Sequence, residues 1–212
     1  IALDNKDNKH AFIQILNGKT RSAEYHKFKF EEFRTSDRIF EIYIGDNYFS
    51  TERMSLKMPV ATGEIHFHHT VPWPNHWYSP GIMGPYTFAP FMECYHGIVS
   101  MDHDLMGSLK IGDELVKFDR GKGYIEKDWG KSFPSAYVWL QSNHFSKPGI
   151  SLKCSVAKIP WLGSSFTGFI AGFWFNNELI RFTTYNKSVL KKLDVRSDKI
   201  ELILENPQYI LR

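Results

Sequence analysis

Two carboxylates separated by one residue are the feature of this sequence best suited to acid–base chemistry. On a strand, Glu126 and Asp128 would share one face with Tyr124, because alternate side chains point the same way. Two carboxylates on one face tend to split their pKa values, which leaves one of them protonated near neutral pH. The spacing therefore predicts a general acid. Asp128 is the better candidate, since Gly130 favours a bend that could re-aim it.

The opposite face of the same strand supports an alternative. It would carry Ile125, Lys127 and Trp129. If Ile125 and Trp129 point into the core, the two carboxylates face water or pair with nearby lysines, since charged residues are seldom buried without partners. The sequence leaves the general acid and this structural alternative both open.

Aromatic and polar residues near this segment could complete a ligand site. Aromatic residues make up 16% of the chain, and rings can line an apolar pocket or stabilise a cation, although a β-rich core also accounts for most of them. The candidate rings are Tyr95, Tyr124, Trp129, Tyr137 and Trp139. The candidate polar contacts are Glu93, His96, Asp102, His103 and Asn143. For His96, a hydrogen-bonded structural role is the commoner alternative.

Metal ligation has weaker support. His66 and His68 alternate on an expected strand, but the motif offers no convincing third ligand for zinc. The two cysteines, Cys94 and Cys154, form neither a CxxC motif nor a disulfide framework, which favours a reducing compartment. We therefore predict no metal site and a cytoplasmic location.

Strand patterns dominate the elements that would position these residues. Three hairpins are predicted, because residues 45–47, Gly112-Asp113 and Asn176-Asn177 each place a tight polar turn between apolar runs. No apolar period of 3.6 residues is sustained, and only residues 188–193 are predicted to form a short helix. The expected fold class is all-β, with antiparallel sheets closed into two barrels or sandwiches that pack together.

Composition places the chain among globular proteins. It has 212 residues, of which 42% are hydrophobic and 23% charged, and a net charge of +3 without a Lys/Arg stripe, so no nucleic-acid partner is predicted. Apolar runs are too short to span a bilayer as helices, and no signal peptide is recognised. The expected domains are 1–112 and 113–212, and residues 72–90 are expected to form an ordered loop at a cavity rim.

Several motifs resemble a known family. Residues 123–134 read Gly-Tyr-Ile-Glu-Lys-Asp-Trp-Gly-x-Ser-Phe-Pro, and residues 139–145 read Trp-x-Gln-x-Asn-x-Phe. Both resemble the signature of the tocopherol cyclase family. The Pro-Gly-Ile-Met-Gly segment at 80–84 and the Glu-Cys-Tyr-His-Gly segment at 93–97 resemble its bacterial branch. The resemblance extends from about residue 12 to residue 185.

The resemblance implies a fold and a reaction. The fold would be two lipocalin-like barrels. The reaction would close a chromanol ring on a prenylated hydroquinone without a redox cofactor: a proton adds to an alkene, and the phenol oxygen traps the tertiary cation. Such a site needs an acid, ring faces for the cation and a cavity that excludes water. Asp128 or Glu126 would be the acid, and Trp129 and Trp139 would face the cation.

A second interpretation of the same resemblance involves no catalysis. Lipocalin-like proteins often only bind, so the chain could be a binder of a lipid or another hydrophobic small molecule. A structural β protein without a ligand ranks third. In the first two cases the partner is an apolar small molecule, and peripheral membrane contact stays open. The sequence identifies neither the substrate nor the oligomeric state.

Overall fold

The structure is a computed structural model that describes residues 2–4, 8–90, 92–161 and 163–212. Within these residues the fold is all-β: eighteen strands form four antiparallel sheets, and two short 3-10 helices, Phe30–Glu32 and Gly84–Phe88, are the helical elements. The predicted all-β class with little helix is confirmed. The sheets of the described residues remain open, so none of them forms a closed barrel.

The first ten strands, in chain order, are β1 Ala2–Asp4, β2 His10–Asn17, β3 Ser22–Phe28, β4 Phe33–Thr35, β5 Glu41–Ile44, β6 Asn47–Ser50, β7 Arg53–Met58, β8 Ala61–His68, β9 Cys94–Ile111 and β10 Glu114–Lys117. The remaining strands are β11 Gly121–Gly130, β12 Tyr137–Ser142, β13 Ser151–Trp161, β14 Ser164–Phe175, β15 Glu178–Thr183, β16 Val189–Val195, β17 Ile200–Glu205 and β18 Ile210–Leu211.

The first of two compact units contains the described residues up to His68 together with Asp104–Gly121. Strands β1 to β3 form one sheet, and β4 to β10 follow one another in a larger sheet in which each strand pairs with the next. Alternating apolar residues of these strands bury one face, and the core includes Ile13, Ile44 and Leu109.

The second unit contains His69–His103 and Lys122–Arg212. Its strands β12 to β15 form a meander, β16 to β18 form a three-stranded sheet, and β11 pairs with β9. Two apolar clusters fill this unit. Phe169 and Phe182 are central to one, and Ile82 and Met101 are central to the other. All of the candidate site residues lie in this unit.

Turn chemistry accounts for the hairpins. Strands β14 and β15 are joined by Asn176 and Asn177, whose φ angles of 50° and 58° match a type I′ turn, and Asn is one of the few residues that tolerate this region. The predicted hairpins at residues 45–47 and at Gly112-Asp113 are confirmed by the pairing of β5 with β6 and of β9 with β10.

The predicted helix at residues 188–193 is wrong. This segment begins strand β16, which pairs with β17 from Val189–Glu205 to Val195–Ile200. The short apolar pattern there suited either element, and the pairing with β17 decided the outcome because local helix preference is weak in so short a segment. The division into domains 1–112 and 113–212 stays a prediction.

Residues 72–90 form the expected ordered loop, which includes the second 3-10 helix. Trp73 and Ile82 are buried, and Tyr185 Oη donates a 2.6 Å hydrogen bond to the Ile82 carbonyl. Gly84 has a φ of +54°, and a Cβ there would lie 2.6 Å from the Tyr185 ring, so only glycine fits. Among the described residues, no helix is long and apolar enough to span a bilayer.

Candidate active site

Strand pairing brings a histidine to the two candidate carboxylates. His96 lies on β9 beside β11, and its Nδ1 is 2.6 Å from Asp128 Oδ1 and 3.5 Å from Glu126 Oε1. Tyr124 Oη donates to Glu126 Oε2 over 2.7 Å. Tyr124, Glu126 and Asp128 therefore share the strand face that their alternation predicts.

A buried lysine completes the network. Lys153, on β13, has no exposed side-chain surface, and its Nζ lies 3.4 Å from Glu126 Oε1 as an ion pair. Neither atom has a hydrogen-bond partner with good geometry. Trp139 Nε1 donates to the other carboxylate oxygen, Oε2, over 3.1 Å. Glu126 is thus buried among cations and donors, which is the arrangement that lets a protein hold a charge away from water.

The contacts set the charge states of Glu126 and His96. Burial alone would raise the pKa of Glu126, but the nearby His96 ring, the charge of Lys153 and the Tyr124 hydroxyl together lower it to about 2. Burial opposes protonation of His96, yet its hydrogen bond to Asp128 and the nearby Glu126 carboxylate raise the His96 pKa above 6.5. Near neutral pH, Glu126 is therefore an anion. The low pKa makes Glu126 the weaker candidate for the proton donor, and the catalytic role of either carboxylate stays a prediction.

A cleft of about 290 Å³ opens beside the network. Its wall includes His96, Asp128, Phe133, Tyr137 and Trp139. The three rings are exposed, so the cleft is open to solvent on one side rather than closed. The side chain of Asp128 is 29% exposed, whereas that of Glu126 is 8% exposed and is not part of the wall. Besides the Tyr137 phenol, Asp128 and His96 are the ionisable groups that a molecule in the cleft would meet.

An apolar cavity of about 50 Å³ adjoins the cleft. The two share four wall residues: His96, Pro134, Ser155 and Ala157. The remaining wall of the cavity is mainly apolar and includes Met83, Met92, Ile159, Phe166 and Phe169; Glu93 is also part of it. The pair of spaces offers a polar end at His96 and Asp128 and an apolar end beyond them.

Two of the predicted ring faces lie elsewhere. Trp129 and Tyr95 stack on each other with centroids 5.6 Å apart, and Lys127 Nζ lies 5.1 Å above the Trp129 ring. Neither ring lines the cleft or the apolar cavity. Trp129 alternates with Asp128 along β11, so a strand that points the carboxylate into the cleft must point this ring away.

Three of the predicted polar contacts, Asp102, His103 and Asn143, lie apart from the carboxylate pair. Lys122 Nζ donates to Asp102 Oδ2 over 3.1 Å, and Asn143 Nδ2 donates to the Gly123 carbonyl over 2.9 Å. His103 is buried with Nδ1 3.0 Å from Ser100 Oγ. These residues line neither the cleft nor the cavity, so the structure separates Asp102, His103 and Asn143 from the carboxylate pair.

Sequence reasoning missed Lys153. The signal available was its place in β13, where Leu152, Cys154 and Val156 alternate with Lys153, Ser155 and Ala157. A lysine on the small-residue face of a strand that is buried on both sides requires a counter-charge. The sequence alone does not say which carboxylate supplies it.

His96, Glu126 and Asp128 are also the one group of three described residues whose potential ligand atoms lie within 4.8 Å of one another. Lys153 already places a positive charge at Glu126, and Nδ1 of His96 already contacts Asp128. This arrangement favours proton transfer over metal ligation. His66, by contrast, lies outside that group, and its Nε2 is 2.7 Å from Glu64 Oε1.

The second unit thus combines an all-β fold with a cleft lined by His96, Asp128 and three aromatic rings. The model of the tocopherol cyclase-like family matches residues 54–195, more than half of the chain. The chain belongs to this family, as its motifs predict. Searches of the curated proteins and of the solved structures give no match.

Proposed function

We propose that this protein is a cofactor-independent acid catalyst that closes a ring, such as a chromanol, on a prenylated hydroquinone or a related apolar substrate. The observation that carries the proposal is the His96–Asp128 pair at the wall of a cleft lined by three aromatic rings. The family membership supports the same class of reaction.

In the proposed reaction, the proton shared by His96 and Asp128 passes through Asp128 to the less substituted alkene carbon, and a tertiary cation forms at the neighbouring carbon. The faces of Tyr137 and Trp139 stabilise this cation. The phenol oxygen of the same molecule then bonds to the cationic carbon. The phenolic proton returns to Asp128, so no proton, electron or co-reactant is consumed.

Asp128 is the better donor of the two carboxylates. It faces the cleft, whereas Glu126 is buried and its pKa is about 2. His96, 2.6 Å away, holds the proton in the resting pair and supplies it to Asp128. Glu126 in turn favours the protonated form of His96. The buried anion therefore acts through the histidine and does not contact the substrate.

The central prediction is that Asp128→Asn abolishes turnover with little loss of binding. The amide preserves the shape of the side chain but cannot donate the proton. A prenylated hydroquinone is incubated anaerobically with each variant, and the cyclised product is measured by mass spectrometry; binding is measured by quenching of tryptophan fluorescence. In D₂O the wild-type product should gain one carbon-bound deuterium.

Asp198→Asn is the matched control, because Asp198 is exposed and distant along the chain from the site strands. It should leave turnover unchanged. Unchanged turnover in Asp128→Asn would remove Asp128 from the mechanism, and a product without carbon-bound deuterium would rule out proton addition to the alkene.

A non-catalytic binder is the second candidate. The apolar cavity favours it, because a space walled by Met83, Phe166 and Phe169 can hold a short aliphatic segment without any acid. Native mass spectrometry of the freshly purified protein should then detect a bound hydrophobic molecule. The chain is a non-catalytic binder if that molecule and a prenylated hydroquinone are both released from the protein chemically unchanged.

A further inference from the structure

Residues 75–81 form a hydrogen-bonded turn that exposes two large aromatic side chains. The backbone groups of His76 and Ser79 bond each other in both directions, with N–O distances of 3.0 and 3.4 Å. Trp77 and Tyr78 are the two central residues of this turn. The Gly81 N–H donates to Asn75 Oδ1 over 3.2 Å and closes the base of the turn.

The exposure of these rings is unusual for their size. Trp77 retains 88% of its surface and Tyr78 retains 58%, and the two rings contact each other edge to face with centroids 5.6 Å apart. Phe88, at the end of the 3-10 helix of the same loop, retains 65%. Leaving such rings in water is unfavourable, so their presence on one loop marks an interaction surface.

The charge pattern identifies the kind of partner. Between His69 and Glu93 the sequence contains no Asp, Glu, Lys or Arg. A protein-binding loop is commonly rimmed by polar and charged residues, whereas entry into a bilayer penalises every charge. Trp and Tyr are the residues that accumulate at the membrane–water interface, because their rings carry one polar group on an apolar body.

The same loop connects this surface to the apolar cavity. Met83 and Tyr86 line that cavity, and Tyr185 holds the intervening backbone in place through Ile82. A molecule dissolved in a bilayer would therefore meet a loop that contacts the membrane with its tip and walls the cavity with its base. This juxtaposition does not depend on the ring-closing reaction and also suits the non-catalytic binder.

We propose that the turn at residues 75–81 docks this protein on the surface of lipid bilayers, with Trp77 and Tyr78 inserted at the interface. Phe88 adds a further apolar contact from the same loop. Since the loop carries no basic residue, the docking is driven by ring burial and not by anionic lipid.

Binding to neutral phosphatidylcholine vesicles tests this proposal. The wild-type chain should cosediment with the vesicles at both low and high salt. Trp77→Ser with Tyr78→Ser should reduce the partition coefficient at least about tenfold, because two interfacial rings are lost. Vesicles with brominated acyl chains should quench wild-type tryptophan fluorescence, and Trp77→Phe should remove most of that quenching.

Leu16→Ser is the matched control, since Leu16 is 71% exposed in the other unit and should leave binding unchanged. The far-ultraviolet circular dichroism of all variants should match wild type because the substituted side chains are exposed. No binding to neutral vesicles, binding only to anionic vesicles at low salt, or unchanged binding in the double variant would each overturn the proposal. A dimer that covers these rings, detected by sedimentation, would also overturn it.

Discussion

Lys153 controls the charge of the candidate site without contacting the cleft. Its ammonium lies 3.4 Å from Glu126, and Glu126 faces the His96 ring that also bonds Asp128. The charge of Lys153 keeps Glu126 ionised, and it also disfavours the protonated form of His96. One buried cation therefore acts on the proton affinity of His96 both directly and through Glu126.

Variants of this ion pair should shift the His96 titration in opposite directions. Lys153→Met removes a repelling cation, so the pKa of His96 should rise. Glu126→Gln removes an attracting anion, so the pKa of His96 should fall. Nitrogen-15 NMR titration of the histidine rings measures both shifts.

His66 provides an internal reference in the same NMR spectra, since its neighbour Glu64 is unchanged in both variants. Shifts of the same sign in the two variants would show that the packing of the buried pair, rather than its charge, governs His96. No shift in either variant would show that Glu126 and Lys153 are electrically uncoupled from the histidine.

Local spacing was enough to predict part of this site. Glu126, Asp128 and Tyr124 share a face because the period of a strand is a local property. Lys153 could not be paired from sequence, because β11 and β13 are distant along the chain and belong to different sheets. The same limit applies to Trp129, whose ring faces away from the cleft once Asp128 faces it. The sequence left two roles open for these carboxylates, a general acid or a structural ion pair. The choice between them depends on how β11 and β13 pack, which the sequence does not specify.

At the scale of the elements, the end of β11 depends on Gly130. Its φ is +154°, and a Cβ there would lie 2.0 Å from the Glu93 carbonyl oxygen. The next residue, Lys131, donates its N–H to the same carbonyl over 2.8 Å. The bend expected at Gly130 is thus a close approach of two backbones, two residues after Asp128.

Gly130→Ala should therefore destabilise the fold by roughly 1–3 kcal/mol and weaken turnover, because the added methyl group forces β11 away from Glu93. Urea unfolding measures the first effect. Gly18→Ala is the control, since a Cβ at Gly18 meets no atom within 4 Å, and its stability should stay close to wild type. Equal stability of the two variants would show that the backbone approach tolerates a side chain.

The outcome for strands and helices follows the strength of local signals. Turns such as Asn176-Asn177 specify a hairpin through the backbone conformation that they favour, so sequence predicted them. Residues 188–193 carry no such signal, and their pairing with β17 came from the fold. The length of β9, Cys94–Ile111, was also missed, because its polar residues His96, Asp102 and His103 interrupt the apolar alternation.

At the scale of the whole molecule, the site should leave a mark on the pH dependence of stability. The pKa of Glu126 falls from 4.5 to about 2 on folding, so its contribution is complete above pH 4.5 and is lost as the pH falls toward 2. The pKa of His96 rises on folding, so its contribution is complete below pH 6.5 and is lost as the pH rises through the folded value. Together they favour maximum stability between these two limits.

Urea-unfolding free energies measured from pH 2 to pH 9 should reveal both limbs. In Glu126→Gln the acid limb should flatten by an amount on the order of a few kcal/mol, because the group that takes up the proton is gone. In His96→Asn the alkaline limb should flatten instead. Glu178→Gln, at an exposed residue of β15, should retain both limbs. Retention of the wild-type acid limb in Glu126→Gln would mean that the buried network does not set the acid stability of the molecule, since no other carboxylate reaches Lys153 within ion-pair distance among the described residues.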